Sequence, residues 1–276
     1  MKSVCIALCV ILFVSCTSDD NFSNKDYSLE NEQEIAAYVE ANNLDATRTE
    51  SGLYYVIDEV GAGSEITSKS DIAVHYKGYT TDGKVFGESN ETGAVFNLST
   101  VISGWQEGLK FFNEGGSGML LIPAHLAYGS NDYNGIKGGS VLIFEIEIID
   151  HEAENKAEIL DYIAANGLNA MATESGLYYV MEEEGTGENP TVNSNVTVAY
   201  TGYLTDGKVF DQSSDAGATF DLKNLIKGWQ IGLPLFKEGG KGILIIPSSL
   251  AYGKYGSNDI PSGAVVLFDI SLLKVN

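Results

Sequence analysis

The chain has 276 residues, of which 44% are hydrophobic and 10% aromatic, enough for one large or two small domains with a buried core. Its net charge of −22 excludes nucleic acid as a partner, because no basic stripe is available to neutralise phosphates. The acidity reads as solubility, with an acidic partner surface as the sharper alternative.

The first predicted element is a leader. Met1-Lys2 gives a charged start, VCIALCVILFV an apolar run, and Ser15-Cys16 a small residue before a cysteine, the order of a secretory signal. The run is too short for a spanning helix, which needs about 20 apolar residues. The segment FVSC resembles the lipobox of bacterial lipoproteins, with Phe13 where Leu, Val or Ile is usual. That resemblance implies a signal peptide over residues 1–16, lipidation of Cys16, and attachment to the membrane by that anchor alone, in the cell envelope as an outer-membrane lipoprotein. The alternative is a plain secretory leader with an incidental cysteine. The other cysteines, Cys5 and Cys9, also lie in the leader, so the remainder of the chain holds no disulfide and no thiolate metal site. Residues 17–30 begin TSDDNFSNKD, polar and aperiodic, and read as a flexible tether. Ser18-Asp19-Asp20 resembles a short acidic tag for surface display; a solvated linker explains it as well.

The rest of the chain is one unit written twice. ESGLYYV occurs at residues 50–56 and 174–180, TDGKVF at 81–86 and 205–210, and GWQ, EGG and LAYG recur likewise, each pair 124 positions apart. A period this long marks a duplicated domain, not a solenoid. We assign residues 31–150 to copy one and 151–276 to copy two.

Within each copy the periodicities follow one order. Residues 31–43 and 155–167 read as helices, with Ile35, Tyr38 and Val39, and likewise Ile159, Tyr162 and Ile163, on one face. Strand-like runs follow at LYYVID, at DIAVHYKGY and at its counterpart NVTVAYTGY. Asp82-Gly83 and Asp206-Gly207 between apolar runs signal hairpins. A short helix is expected near Trp105 and Trp229. Two further strands, MLLIP and VLIFEIEII in copy one and GILIIP and VVLFDISLL in copy two, flank a glycine-rich loop. Many strands and one short central helix predict an α+β fold, an antiparallel sheet folded over the helix.

Comparing the copies tests each proposed catalyst. His75 and His125 face Ala199 and Ser249 in copy two, and His151 has no counterpart within a matched unit, which excludes a shared histidine triad. No metal motif appears, and neither metal nor cofactor is expected. Asp82 and Asp206 are explained by their turns, and Glu114 and Glu238 precede Gly-Gly pairs and read as loop residues. What the copies share is aromatic: Tyr76/Tyr200, Phe86/Phe210, Phe96/Phe220, Trp105/Trp229, Tyr128/Tyr252 and Phe144/Phe268, joined by Ile102/Ile226. Singly these are core residues; together they can line a deep apolar pocket with hydroxyl donors at its rim.

VAYTGYLTDGKVFD, TFDLKNLIKGW, LAYG and IPSGAVVLFDISLL resemble, in order and spacing, the signature segments of FKBP-type prolyl isomerases. The resemblance implies a twisted antiparallel β-sheet wrapped around the short Trp helix, with the pocket between them, and isomerisation of X–Pro bonds in proline-containing polypeptides. In copy two it implies a pocket floored by Trp229 and walled by Tyr200, Phe210, Phe220, Leu225, Ile226 and Phe268. Tyr252 would donate a hydrogen bond, Ile260 would contribute from the loop and Asp211 would supply the lone carboxylate. Ala218 stands where many family members carry another aromatic. In copy one the matching residues are Tyr76, Phe86, Phe96, Val101, Ile102, Trp105, Tyr128, Ile136 and Phe144, but Gly87 replaces the carboxylate and Lys137 the proline after the loop isoleucine. Copy two is therefore the expected main catalyst. The alternatives are a peptide-binding chaperone or interaction module with little turnover, or, for copy one, a structural spacer.

Overall fold

The computed structural model describes residues 25–276; the leader, Cys16 and most of the tether lie outside the described residues. Helix α1 (Ser28–Ala41) buries Asn31 and Ile35 on one face. It is followed by β1 (Thr47–Arg48), β2 (Tyr54–Glu59), β3 (Asp71–Thr80), β4 (Val85–Glu88) and β5 (Ala94–Asn97), then α2 (Ser103–Gly108), β6 (Ser117–Ile122) and β7 (Leu142–Ile148). Copy two repeats the series: α3 (His151–Ala165), β8 (Met171–Ala172), β9 (Tyr178–Glu183), β10 (Asn195–Leu204), β11 (Val209–Gln212), β12 (Ala218–Asp221), α4 (Lys227–Gly232), β13 (Lys241–Ile246) and β14 (Val266–Val275).

Both long helices start before their periodic stretch and stop short of its end. The Asp150 carboxylate accepts the N–H groups of Glu152 and Ala153 at 3.1 and 3.0 Å, so an N-cap fixes the start of α3 at His151. At the other end Asn43 and Gly167 adopt left-handed backbone, φ +52° and +61°, and such a residue terminates a helix.

The strands form two sheets of identical order, β1-β2-β6-β7-β3-β4 with β5 beside β3, and β8-β9-β13-β14-β10-β11 with β12 beside β10. Every pairing is antiparallel. The apolar run of β6 is continuous because the strand is covered on both faces. Leu120 and Ile122 enter the cluster around Trp105, and Leu121 between them joins Ile35 of α1. Leu244 and Ile246 face Trp229, and Ile245 faces Ile159 of α3. Each sheet therefore sits between a long helix outside and a short helix inside. At this interface Ile35→Ala would cost about 2–5 kcal/mol. Among the described residues no helix is long and apolar enough to cross a membrane.

Gly104 and Gly228 allow the short helix to lie directly on the sheet, since a Cβ at either would strike Ile122 or Ile246. That close approach carries Trp105 and Trp229 to the sheet surface, each only 4% exposed.

Candidate functional site

The pocket begins with strand register. In copy two, Gly202 of β10 lies opposite Phe268 on one side and Asp211 on the other. A Cβ at Gly202 would fall 2.7 Å from the Phe268 ring and 2.9 Å from that of Phe210, so this glycine makes the space that the two rings occupy. Tyr200, two residues earlier, shares the face of Gly202. Pairing then shifts: Gly202 opposes Asp211 and Tyr203 opposes Val209, leaving Phe210 as the extra residue of a bulge. A bulge turns consecutive side chains to one side of a strand, which lets Phe210 pack on Phe268 while Asp211 enters the pocket lining. Copy one repeats the arrangement, with Gly78 opposite Gly87, Tyr79 opposite Val85, and Phe86 in the bulge.

The rings meet edge to face, the favoured geometry for aromatic pairs. Trp229 lies 5.2 Å from Tyr200, 5.9 Å from Phe220 and 5.2 Å from Phe268, at 88°, 85° and 89°. Trp105 lies 5.6 Å from Tyr76, 5.4 Å from Phe96 and 5.2 Å from Phe144. Both indole Nε1 atoms are buried and unpartnered within the protein. An orphaned buried donor costs about 1–3 kcal/mol.

Tyr200, Asp211, Phe220, Leu225, Ile226, Trp229, Tyr252 and Phe268 line a cavity of about 120 Å³. Phe210 and Ile260 are not in that lining but adjoin it: Phe210 lies 6.3 Å from Tyr252 and 5.6 Å from Phe268, and Ile260 is packed into the core. The cavity of copy one is about 350 Å³ and contains Tyr76, Phe86, Phe96, Val101, Ile102, Trp105, Tyr128, Ile136 and Phe144, together with Gly87, Thr100, Tyr133 and Asn134.

The polar rims differ. The Tyr200 hydroxyl donates to Asp211 Oδ2 at 2.8 Å. Burial first, and this bond second, push the Tyr200 phenol up to about 12. Tyr252 is raised by burial and then by the Asp211 charge, so both phenols stay neutral donors at ordinary pH. In copy one a Cβ at Gly87 would lie 3.6 Å from the Tyr76 hydroxyl, so the carboxylate is missing from a place that has room for it. Tyr133 instead stacks on Tyr128 at 4.2 Å and 13°. Burial, followed by the phenols of Tyr133 and Tyr76, raises Tyr128.

Sequence reading missed Tyr133, the bulge, and the Tyr200–Asp211 bond. The signal for Tyr133 was its mismatch with Ser257, the residue at the same place in copy two. The loop of copy one, where Lys137 stands in place of the proline of copy two, carries two ties of its own. Lys84 Nζ donates to the Gly135 carbonyl at 3.0 Å, and the Gly138 N–H donates to Asp132 at 2.9 Å. Of the matched acids, Glu238 accepts the Val275 N–H at 2.8 Å, and Glu114 pairs with Lys254.

A family model described as FKBP-type peptidyl-prolyl cis-trans isomerase matches the chain twice, over residues 63–149 and 186–273. The FKBP-type peptidyl-prolyl cis-trans isomerase FkpA of Aeromonas hydrophila is 45% identical over 126 residues, covering 44% of this chain and 47% of that protein. Its namesake in Escherichia coli K12 is 39% identical over 142 residues, covering 51% and 52%. The crystal structure of FkpA from Escherichia coli aligns with a TM-score of 0.42 at 39% identity, over 45% of this chain and 61% of that one. The chain spans about half the length of the curated relatives it matches. With two matches that together cover more than half of its residues, the chain belongs to the FKBP-type peptidyl-prolyl cis-trans isomerase family.

Proposed function

We propose that this chain isomerises X–Pro peptide bonds in extracytoplasmic polypeptides, that residues 31–150 and 151–276 act as two units, and that the second is the main catalyst. The observation that carries the reading is the aromatic cavity over Trp229, with a neutral phenol, Tyr252, at its rim.

The chemistry needs little else. Amide resonance sets a barrier of about 18–20 kcal/mol to rotation. X–Pro bonds populate both isomers and exchange over tens of seconds or more. A twisted amide has lost that resonance and is less polar than either planar form. Apolar walls that exclude water therefore favour the twisted amide over the planar ones, and hydrogen bonds that fit only the twisted geometry lower the barrier further. In this reading the proline ring sits on Trp229 between Tyr200, Phe220 and Phe268. Tyr252 donates to the bound backbone, Asp211 holds the Tyr200 ring through its hydroxyl, and Leu225 and Ile226 complete the apolar wall.

A second reading applies to copy one. Its wider cavity, the absent carboxylate at Gly87 and the Tyr128–Tyr133 stack favour holding a peptide over turning it. The leader supports a further proposal, that Cys16 is lipidated and the protein works from the cell envelope. Wild type would then partition into detergent and Cys16→Ser would not.

The test of activity is proline-limited refolding of a client protein, followed with the whole chain and then with residues 151–276. Acceleration by both, lost in Tyr252→Phe, is the expected result. A folded chain that leaves refolding unaccelerated overturns the enzyme reading.

A further inference from the structure

Asn155 is a polar residue on the buried face of α3, 3% exposed. Its Nδ2 donates to the Gly263 carbonyl at 2.7 Å, and its Oδ1 accepts the Ser248 N–H at 2.7 Å. Ser248 and Gly263 are the two ends of the loop that carries Tyr252 and Ile260. The loop completes the circuit by itself: the Gly253 N–H donates to the Ser248 carbonyl at 2.8 Å, and the Gly263 N–H to the Gly253 carbonyl at 3.1 Å. The result is a closed ring of four hydrogen bonds, and Tyr252 is the residue immediately before Gly253.

Copy one contains the same ring. Asn31, 1% exposed, donates to the Gly139 carbonyl and accepts the Ala124 N–H, both at 2.8 Å. The N–H groups of Gly129 and Gly139 close the circuit at 2.8 Å each, with Tyr128 immediately before Gly129. A carboxamide suits the task because it offers one donor and one acceptor from a single planar group. The helix also presses on the loop sterically. Gly263 and Gly139 have φ +66° and +82°, and a Cβ at either would collide with the ring of His151 or Tyr27, the residue at or just before the start of each helix.

We propose that Asn155 is a positioning residue for isomerisation: through this ring it sets where the Tyr252 hydroxyl points, and Asn31 does the same for Tyr128. Each long helix is thereby part of the functional unit as well as cover for the sheet. The inference rests on the isomerase reading above.

The test uses the full chain in a Trp105→Phe background, which leaves Trp229 as the sole indole of the two in the sequence and so the reporter of peptide binding in copy two. In Asn155→Asp a protonated carboxyl donates and accepts as the amide does. The ionised form faces the Gly263 carbonyl with no donor, and the ring opens. His151, Glu152 and Glu154 on α3, Lys254 on the loop, and Glu65, Asp71 and Glu114, which line one cavity with Ser248 and Gly253, are common to both proteins, so the profile of the Trp105→Phe parent is the reference for them. We expect kcat of Asn155→Asp to match the parent at low pH and to fall by about tenfold as the new carboxyl ionises, as expected when a catalytic group is displaced slightly. Peptide Kd from Trp229 fluorescence should stay level across that range. Asn155→Leu should have low kcat at every pH.

A kcat profile of Asn155→Asp identical to the parent's overturns the inference. So does loss of kcat that only tracks unfolding in both variants, which would make Asn155 a purely structural residue. If the parent itself leaves refolding unaccelerated, the isomerase reading fails and takes this inference with it.

Discussion

The two pockets stand on the same strand register and the same aromatic residues, yet one measures about 350 Å³ and the other about 120 Å³. The floor cannot explain this, because Trp105 and Trp229 are equally buried and meet their neighbours at closely similar distances. The rims differ. Asp211 bonds to Tyr200 at the rim of the second pocket, where the first has Gly87 and no carboxylate, and Tyr133 gives the first pocket a stacked aromatic edge. On the proposed reading, the duplicated scaffold separates two contributions: a floor that would bind, and a rim that would decide what happens to the bound bond.

The sharpest way to break this comparison is through the floors. Trp229→Ala and Trp105→Ala should each cost their own copy about 3–5 kcal/mol of stability, read by denaturant unfolding. Only Trp229→Ala should also remove most of the isomerisation. Equal loss of activity from the two substitutions would mean that the rims do not divide the labour.

Exchange of the rims comes next. Asp211→Gly should weaken catalysis by about 1 kcal/mol, discounted because the bond to Tyr200 is exposed, which corresponds to roughly fivefold in rate. Gly87→Asp in copy one should recover a gain of similar size, measured with Trp229→Ala silencing copy two. No gain would shift the cause of the asymmetry to the loop.

How these rims were and were not visible in the sequence is instructive. The duplication, the Asp-Gly hairpins and the aromatic set are local or repetitive, and spacing alone reveals them. The bulge at Phe86 and Phe210 is a property of pairing between strands, and alternation within one strand cannot express it. Asn31 and Asn155 sit one helical turn before Ile35 and Ile159 on the same face. A polar residue there reads as the end of the apolar stripe, because its partners lie 93 and 108 positions away. The recurrence of that asparagine 124 positions on was the available clue.

A smaller effect should separate the loops. Tyr133→Ser, which gives copy one the residue of copy two, should cost peptide binding there about 0.5–1 kcal/mol, the worth of an aromatic pair. Titration followed by Trp105 fluorescence in a Trp229→Phe chain reads it directly. Unaltered affinity would remove Tyr133 from the recognition surface.

The smallest signal is spectroscopic. A phenol raised to about 12 from the usual value of about 10 favours its neutral form in the folded state. That contribution to stability is complete below about pH 10 and disappears as pH rises through about 12. Asp211→Asn keeps the burial and removes the charge, so the tyrosinate absorbance of Tyr200 should appear at lower pH than in wild type. Coincident titrations would show that Asp211 has no hold on Tyr200.

The sameness of the two sheets also bears on how the chain acquires its structure. β2 and β9 begin with the same residues, Tyr-Tyr-Val, and pair with β6 and β13 respectively. While the chain is only partly assembled, each of those partners meets two strands that fit, one native and one from the wrong half. Exchange of equivalent strands is a characteristic failure of tandem domains. It would trap molecules that must come apart before they can finish. The signature is a slow refolding phase in the whole chain that is independent of protein concentration. If that phase is equally prominent when the identical segments are made to differ, the trap lies elsewhere.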